Sequence, residues 1–247
     1  QRSLGGDTHV ATCTSCHSTH DIRRVQDPAA SVSRLNIADT CGKCHSDPQR
    51  MRSYGIRTDQ LSLYRQSHHA AALYQEHNLA APTCTDCHGS HGAAPPKPAS
   101  VVNVCGHCHS QEAELFKKSV HFQVFNSQRL KGCMGCHENH ASDGPEKSLF
   151  NGMTATCDSC HHSDEGARAA EQWGHSVLAL RERIDFSRKF LADVAKNGTD
   201  VKAPLAALDL AFAQLKTTRI EVHSLEDTKL VAAVAEGQRL EDSAYRQ

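Results

Sequence analysis

The chain has 247 residues, enough for one large domain or two small ones, and only 38% of them are hydrophobic and 5% aromatic. An ordinary globular domain is nearer to about 45–50% apolar, so twelve cysteines and eighteen histidines point to a bound group as part of the core. A formal charge of -1 offers no basic face for nucleic acid, and no apolar run reaches the roughly 18 residues of a membrane span.

Taken in chain order, the cysteines form six copies of Cys-x-x-Cys-His: Cys13-Cys16-His17, Cys41-Cys44-His45, Cys84-Cys87-His88, Cys105-Cys108-His109, Cys133-Cys136-His137 and Cys157-Cys160-His161. No cysteine is left over. Two thiols three positions apart on one helical turn reach the two vinyl groups of one haem, and the next residue turns its imidazole to the iron. Structural zinc also uses Cys-x-x-Cys, but two pairs then share one metal and neither needs a following histidine. Disulfides do not need it either. The pattern is that of c-type haem attachment. It predicts six covalently bound haem c groups, with the twelve cysteines as thioether links and the six histidines as proximal iron ligands.

The motifs alternate between two kinds. CTSCHSTH, CTDCHGSH and CMGCHENH carry a further histidine three residues on, at His20, His91 and His140; CGKCHSD, CGHCHSQ and CDSCHHS do not. The chain therefore reads as three two-haem repeats, with first cysteines 28, 21 and 24 residues apart within a repeat. Between repeats a Ser-x-His element recurs, as Ser67-His68-His69 and Ser119-Val120-His121, and Trp173-Gly174-His175 echoes it after the last.

Ser-x-His, then Cys-x-x-Cys-His-x-x-His, then Thr-Cys-Gly-x-Cys-His resembles the multihaem cytochromes c of anaerobic respiratory bacteria. LAAPTCTDCHGSHG and LNIADTCGKCHSD carry the likeness, which covers residues 9–162. The motif pattern relates it to the cytochrome c nitrite reductase and cytochrome c3-like families. The resemblance implies a mainly α fold with much irregular loop, and maturation outside the cytoplasmic membrane, so a periplasmic or extracellular protein. Gln1 reads as the start of a mature or trimmed chain, so a missing leader says nothing about location.

His20 lies three residues beyond His17, a span of at most about 10–11 Å between Cα atoms. Axial histidines on opposite faces of one haem need roughly 12 Å. His20 is thus expected to serve a neighbouring haem, and the same holds for His91 and His140. His69, His121 and His175 would supply the remaining distal ligands. His9 competes with His175 and His68 with His69. His77, His107, His162 and His223 read as exposed or structural. Met51, Met134 and Met153 recur at no fixed offset, which argues against methionine ligation.

After His162 cysteine vanishes. Val177, Leu180, Ile184, Leu191 and Val194 mark one helical stripe, which Asn197-Gly198 ends. A second helix runs from about Pro204, and Ser224 with Asp227 marks either a third helix or a break in the second. The expected division is a six-haem domain over 1–165 and a C-terminal long-helix hairpin over 166–247. The hairpin resembles the helices of cytochrome c nitrite reductase that support subunit contacts, which implies a homodimer or oligomer; the alternative is a lid on the chain's own haems.

These features point to an electron carrier rather than an enzyme, with redox proteins as partners: a quinol-oxidising membrane cytochrome, a reductase or an outer-surface conduit. A reductase of a small oxyanion needs an open iron, whereas twelve histidines beyond the proximal six are available as caps and the Cys-x-x-Cys-Lys variant of nitrite reductases is absent. A polymeric wire, with a ligand donated by a neighbouring copy, is the third possibility.

Overall fold

The computed structural model describes residue 7 and residues 10–97, 100–142, 153–162 and 164–246. Among these the regular elements are all helical, and loops join many short helices before one long-helix region. They pack as two compact units, residues 1–97 with 137–144 and residues 98–136 with 145–247. The dividing point after Cys136 falls inside the fifth motif, and the cysteine-free tail lies whole within the second unit.

The first unit has little apolar core. Ala38, Tyr64 and Ala70 cluster with Leu61 and Cys84, and Ala72, Leu73 and Ala81 form a second small group. Irregular backbone must find its hydrogen bonds elsewhere than in ladders, and side chains supply them here. Asn36 Nδ2 donates to the Pro28 and Ala30 carbonyls at 2.8 and 2.9 Å, Thr40 Oγ1 to Ser31 at 2.6 Å, and Tyr64 Oη to Pro82 at 3.0 Å.

The second unit contains two kinds of packing. Near the fourth and fifth motifs, Phe116 meets Phe122 and Phe125 edge to face, each at 5.7 Å, over Val102 and Ala113. The tail has a dense apolar core. The helix Glu165–Ala195 buries Ala170, Trp173, Val177, Leu180, Ile184, Ser187 and Leu191, an alternating three-and-four spacing that places them in one seam. Gly198, at φ 85°, turns the chain after it. Helix Lys202–Glu221 answers with Leu208, Ala211 and Leu215, all at 0% exposure, and helix Asp227–Ser243 with Leu230 and Val234. Burying each large side chain of this set contributes about 1.5–3 kcal/mol.

The expected hairpin is thus extended by a third helix. Ser224 and Asp227 form no capping box for it: Ser224 Oγ accepts the Glu226 N–H at 3.3 Å, and the Asp227 carboxylate accepts the Trp173 indole N–H at 2.8 Å. Trp173 with Asp227 and Arg183 with Glu241 make the first and third helices parallel, while Arg188 with Asp209 sets the second antiparallel to the first. Gly237 permits the close approach, since a Cβ there would sit 2.5 Å from Leu180 Cδ2. Glu241, only 2% exposed, is satisfied by Ser187 Oγ and Arg183, both at 2.5 Å. No helix among the described residues is long and apolar enough to cross a membrane.

Candidate metal centres

Two of the six motifs fold as single turns because the threonine before the first cysteine caps them. Cys13–His17 and Cys84–His88 are five-residue helices. Each opens with a threonine in extended conformation and a reciprocal capping box, Thr12 with Ser15 and Thr83 with Asp86. In the second, the Thr83 N–H and hydroxyl both donate to the Asp86 carboxylate, at 2.7 and 2.8 Å, and Arg34 braces that carboxylate at 3.1 Å. Ser18 (φ 62°) and Gly89 (φ 76°) end the two turns. Motif two ends the helix Ile37–His45 and motif six the helix Met153–His161. Cys105 lies in Val101–Gly106, and Cys133 in the 3-10 turn Gly132–Gly135.

Thiols of successive motifs lie together. Cys41 donates a hydrogen bond to Cys84, which pushes the Cys41 thiol up and the Cys84 thiol down from their ordinary values. Cys105 and Cys133 do the same in the second unit. Cys16 lies within electrostatic reach of Cys41 and Cys44, and Cys136 within reach of Cys157 and Cys160. Single-sequence spacing gave no sign of these contacts, because each joins segments separated by a loop.

Three of the motif histidines each face a histidine from elsewhere in the chain. His17 and His91 lie with ring centroids 6.1 Å apart and planes 23° apart, and His88 and His140 with centroids 5.9 Å and planes only 8° apart. His121 and His161 lie at 5.8 Å, tilted by 49°. A metal about 2.0 Å from the nitrogen of each of two opposed imidazoles would separate their centroids by about 6 Å. The spacing therefore has room for one iron and is too wide for ring-on-ring contact. Burial, with the facing His88 next, lowers the pKa of His140; burial and then His161 lower that of His121. Both shifts favour the neutral imidazole that a metal requires. His121 Nδ1 is a buried nitrogen with no hydrogen-bond partner among the described residues.

Other ring nitrogens are already anchored. His88 Nδ1 donates to the Ala94 carbonyl at 3.2 Å, and His161 Nδ1 bonds the Asp164 carboxylate at 3.1 Å. His69 is half-buried, with Nδ1 3.0 Å from Ser142 Oγ, whereas its rival His68 is exposed. An imidazole anchored through Nδ1, as in His88 and His161, presents Nε2 to a ligand.

The remaining candidates are placed less suggestively. His20, in a bend, and His175, on the first long helix, are exposed, and no imidazole faces either among the described residues. His9 lies outside the described residues. His45 is exposed, and His109 Nδ1 is 3.7 Å from Glu112. His137 is half-buried. Met51 is in the core at 5% exposure, and His223 Nδ1 donates to the Ile220 carbonyl at 3.0 Å. His77 and His162 have positive φ, and His107 ends a helix.

The donor set fits haem. Two opposed imidazoles supply only axial ligands, and among the described residues no three His, Cys, Asp or Glu side chains converge as a protein-only metal site. A porphyrin would bring its own nitrogens to the iron, and the cysteine pairs beside the histidines would be the residues to link it.

A search of the curated proteins finds similarity to the multiheme cytochrome MtrA of Shewanella baltica (strain OS185), 26% identical over 152 residues. The match covers 60% of this chain, which spans only 38% of that relative's length. No family model matches the chain, and no solved structure matches it significantly. The likeness is thus a distant and partial one, to a protein named as a multihaem cytochrome.

Proposed function

We propose that this chain is an electron-transfer protein that holds six c-type haems, mostly with two histidine ligands, and passes electrons along them between respiratory redox partners. The observation that carries the reading is the facing of His17 with His91, His88 with His140, and His161 with His121, at 5.8–6.1 Å between centroids. Bound between such pairs, a porphyrin iron cycles between ferric and ferrous and so holds one electron. The twelve motif cysteines fix the groups covalently, and the motif histidines ligate from the proximal side. His91, His140 and His121 serve as distal ligands. His69, anchored by Ser142, His20 and His175 are the further distal candidates, with His9 as alternate.

Contacts between successive motifs, such as Cys41 with Cys84 and Cys105 with Cys133, keep neighbouring attachment points together, as a conduit needs. An iron held by two histidines has no position for a substrate, and the three facing pairs therefore favour a carrier over an enzyme. It works in the periplasm or outside the cell. About twelve haem propionates, added to a formal charge of -1, make the loaded protein acidic and suit it to a basic partner surface. Phe186 and Phe190, one turn apart on the first long helix and 67% and 47% exposed, suit the tail to self-association as a two-fold dimer.

His20 and His175, exposed and facing no imidazole among the described residues, favour a second reading in which one iron lacks a distal ligand of its own. That iron is then either a reductase site for a small oxyanion or completed by a neighbouring copy in a wire. The test is intact mass for the number of haems, with low-temperature electron paramagnetic resonance of the oxidised protein. Six attached haems, all low-spin at any concentration, support the carrier. One high-spin haem in dilute and concentrated protein alike supports the reductase, and one that turns low-spin on concentration supports the wire. Fewer than six attached haems in fully matured protein overturns the proposal.

A further inference from the structure

The turn between motif six and the long helix holds His161 differently from the other anchored proximal ring. His161 ends the helix Met153–His161, and Asp164 caps Glu165–Ala195. The turn is closed by the Asp164 N–H donating to the His161 carbonyl at 3.0 Å. One Asp164 carboxylate oxygen accepts the Gly166 and Ala167 N–H groups at 2.7 and 3.3 Å, and the carboxylate also takes the His161 Nδ1 hydrogen bond at 3.1 Å. The helix terminus therefore stops the carboxylate from swinging away from the ring. Gly166 lets the ring sit there, because a Cβ at that position would lie 2.5 Å from His161 Nδ1 and 2.6 Å from Cε1.

We infer that Asp164 is a positioning residue for the iron ligand His161, and that its carboxylate lowers the midpoint potential of the haem attached at Cys157 and Cys160. The inference rests on the proposed haem at this motif. A carboxylate accepting from Nδ1 draws the ring proton away and makes the imidazole a stronger donor, which favours ferric iron. His88 is anchored by the neutral Ala94 carbonyl instead, at 3.2 Å, and lacks that effect. The helix N-terminus carries roughly half a positive charge, so it offsets part of the carboxylate's full charge and not all of it. In motif four Glu112 stands at the same three-residue offset from His109, but 3.7 Å is beyond hydrogen-bond range. The clamp is thus not a by-product of an acidic residue three positions on; it needs the cap and Gly166 as well. The haem at Cys157 and Cys160 is then harder to reduce than that at Cys84 and Cys87.

The test is potentiometry of the full six-haem chain carrying Asp164→Asn. Asparagine caps helices as well as aspartate, but its amide nitrogen replaces the carboxylate oxygen that accepts from His161 Nδ1, so the variant keeps the cap and removes the charge together with the hydrogen bond to the ring. Loss of an outer-sphere partner changes metal–ligand equilibria roughly 10-fold or more. At 59 mV per decade for one electron, a 10-fold effect is an upward shift of about 59 mV. One of the six components should move and five should stay. Adding Asp164→Asn to His121→Ala, whose high-spin signal marks the same haem, should shift the potential of that signal likewise. Gly166→Ala, which keeps the charge but crowds the ring, should alter the low-spin signal of this haem alone. Six attached haems with unmoved potentials in both Asp164→Asn backgrounds overturn the inference. An unmodified Cys157–Cys160 peptide in the parent protein would instead overturn the haem assignment on which it rests.

Discussion

Replacing His91 by Ala tests the ligand arrangement most directly. His91 follows the third motif by three residues, yet its ring faces His17 of the first motif at 6.1 Å between centroids. Removing it should leave the first-motif iron with one imidazole and the third-motif iron untouched, because His88 there faces His140 at 5.9 Å. With one haem at each motif, as proposed, one of six should turn high-spin, so the low-spin signal in electron paramagnetic resonance should fall by roughly one sixth. His17→Ala should affect the same haem, and the double variant should affect no second one. That non-additivity is the mark of two groups acting on one centre. His140→Ala should convert a different haem, and adding it to His91→Ala should convert two. A high-spin signal arising from the haem at Cys84 and Cys87 in His91→Ala, or two high-spin haems in the His17 and His91 double variant, would refute the arrangement.

Other consequences concern stability. Burial pulls the Asp86 carboxyl up, but its bonds from Thr83 and Arg34 outweigh that and leave it below the ordinary carboxylate value. A folded pKa below the unfolded value of about 3.9 gives stability that is full above that pH and is lost as pH falls through the folded value; Asp86→Asn should flatten this acid limb, measured by the resistance of the Asp86 region to pepsin below about pH 4. Leu208→Ala empties a site at 0% exposure between two long helices and should cost about 2–5 kcal/mol in denaturant unfolding of the tail, followed by Trp173 fluorescence. Ser187→Ala leaves one oxygen of the buried Glu241 carboxylate without its 2.5 Å donor and should cost about 1–3 kcal/mol by the same assay. If the exposed faces of Phe186 and Phe190 join two copies, Phe186→Glu with Phe190→Glu should turn a dimer into a monomer in analytical ultracentrifugation with haem content unchanged; a parent protein already monomeric at high concentration removes the dimer from the proposal.

What the sequence determined by itself is local chemistry. Cys-x-x-Cys-His sets thiols and imidazole on one turn, and the capping pairs Thr12 with Ser15 and Thr83 with Asp86 lie within the same few residues. The tail was equally legible, since its apolar seam repeats at helical spacing and Asn197-Gly198 ends it where Gly198 takes φ 85°. Reach alone also predicted that His91 would serve a haem other than that of His88, because three residues are too short a tether for both faces of one haem. Which ring faces which was decided only by the tertiary structure. His91 meets His17, His140 meets His88, and His121 meets His161 across loops whose paths no periodic pattern encodes. The third helix was ambiguous in sequence for a related reason: Asp227 has the composition of a cap, but its carboxylate is taken by the distant Trp173 indole, a partner that only packing brings to it. Asp164 joins the two levels. Its cap is local, and the anchoring of His161 follows because Gly166 leaves room for the ring over the same turn.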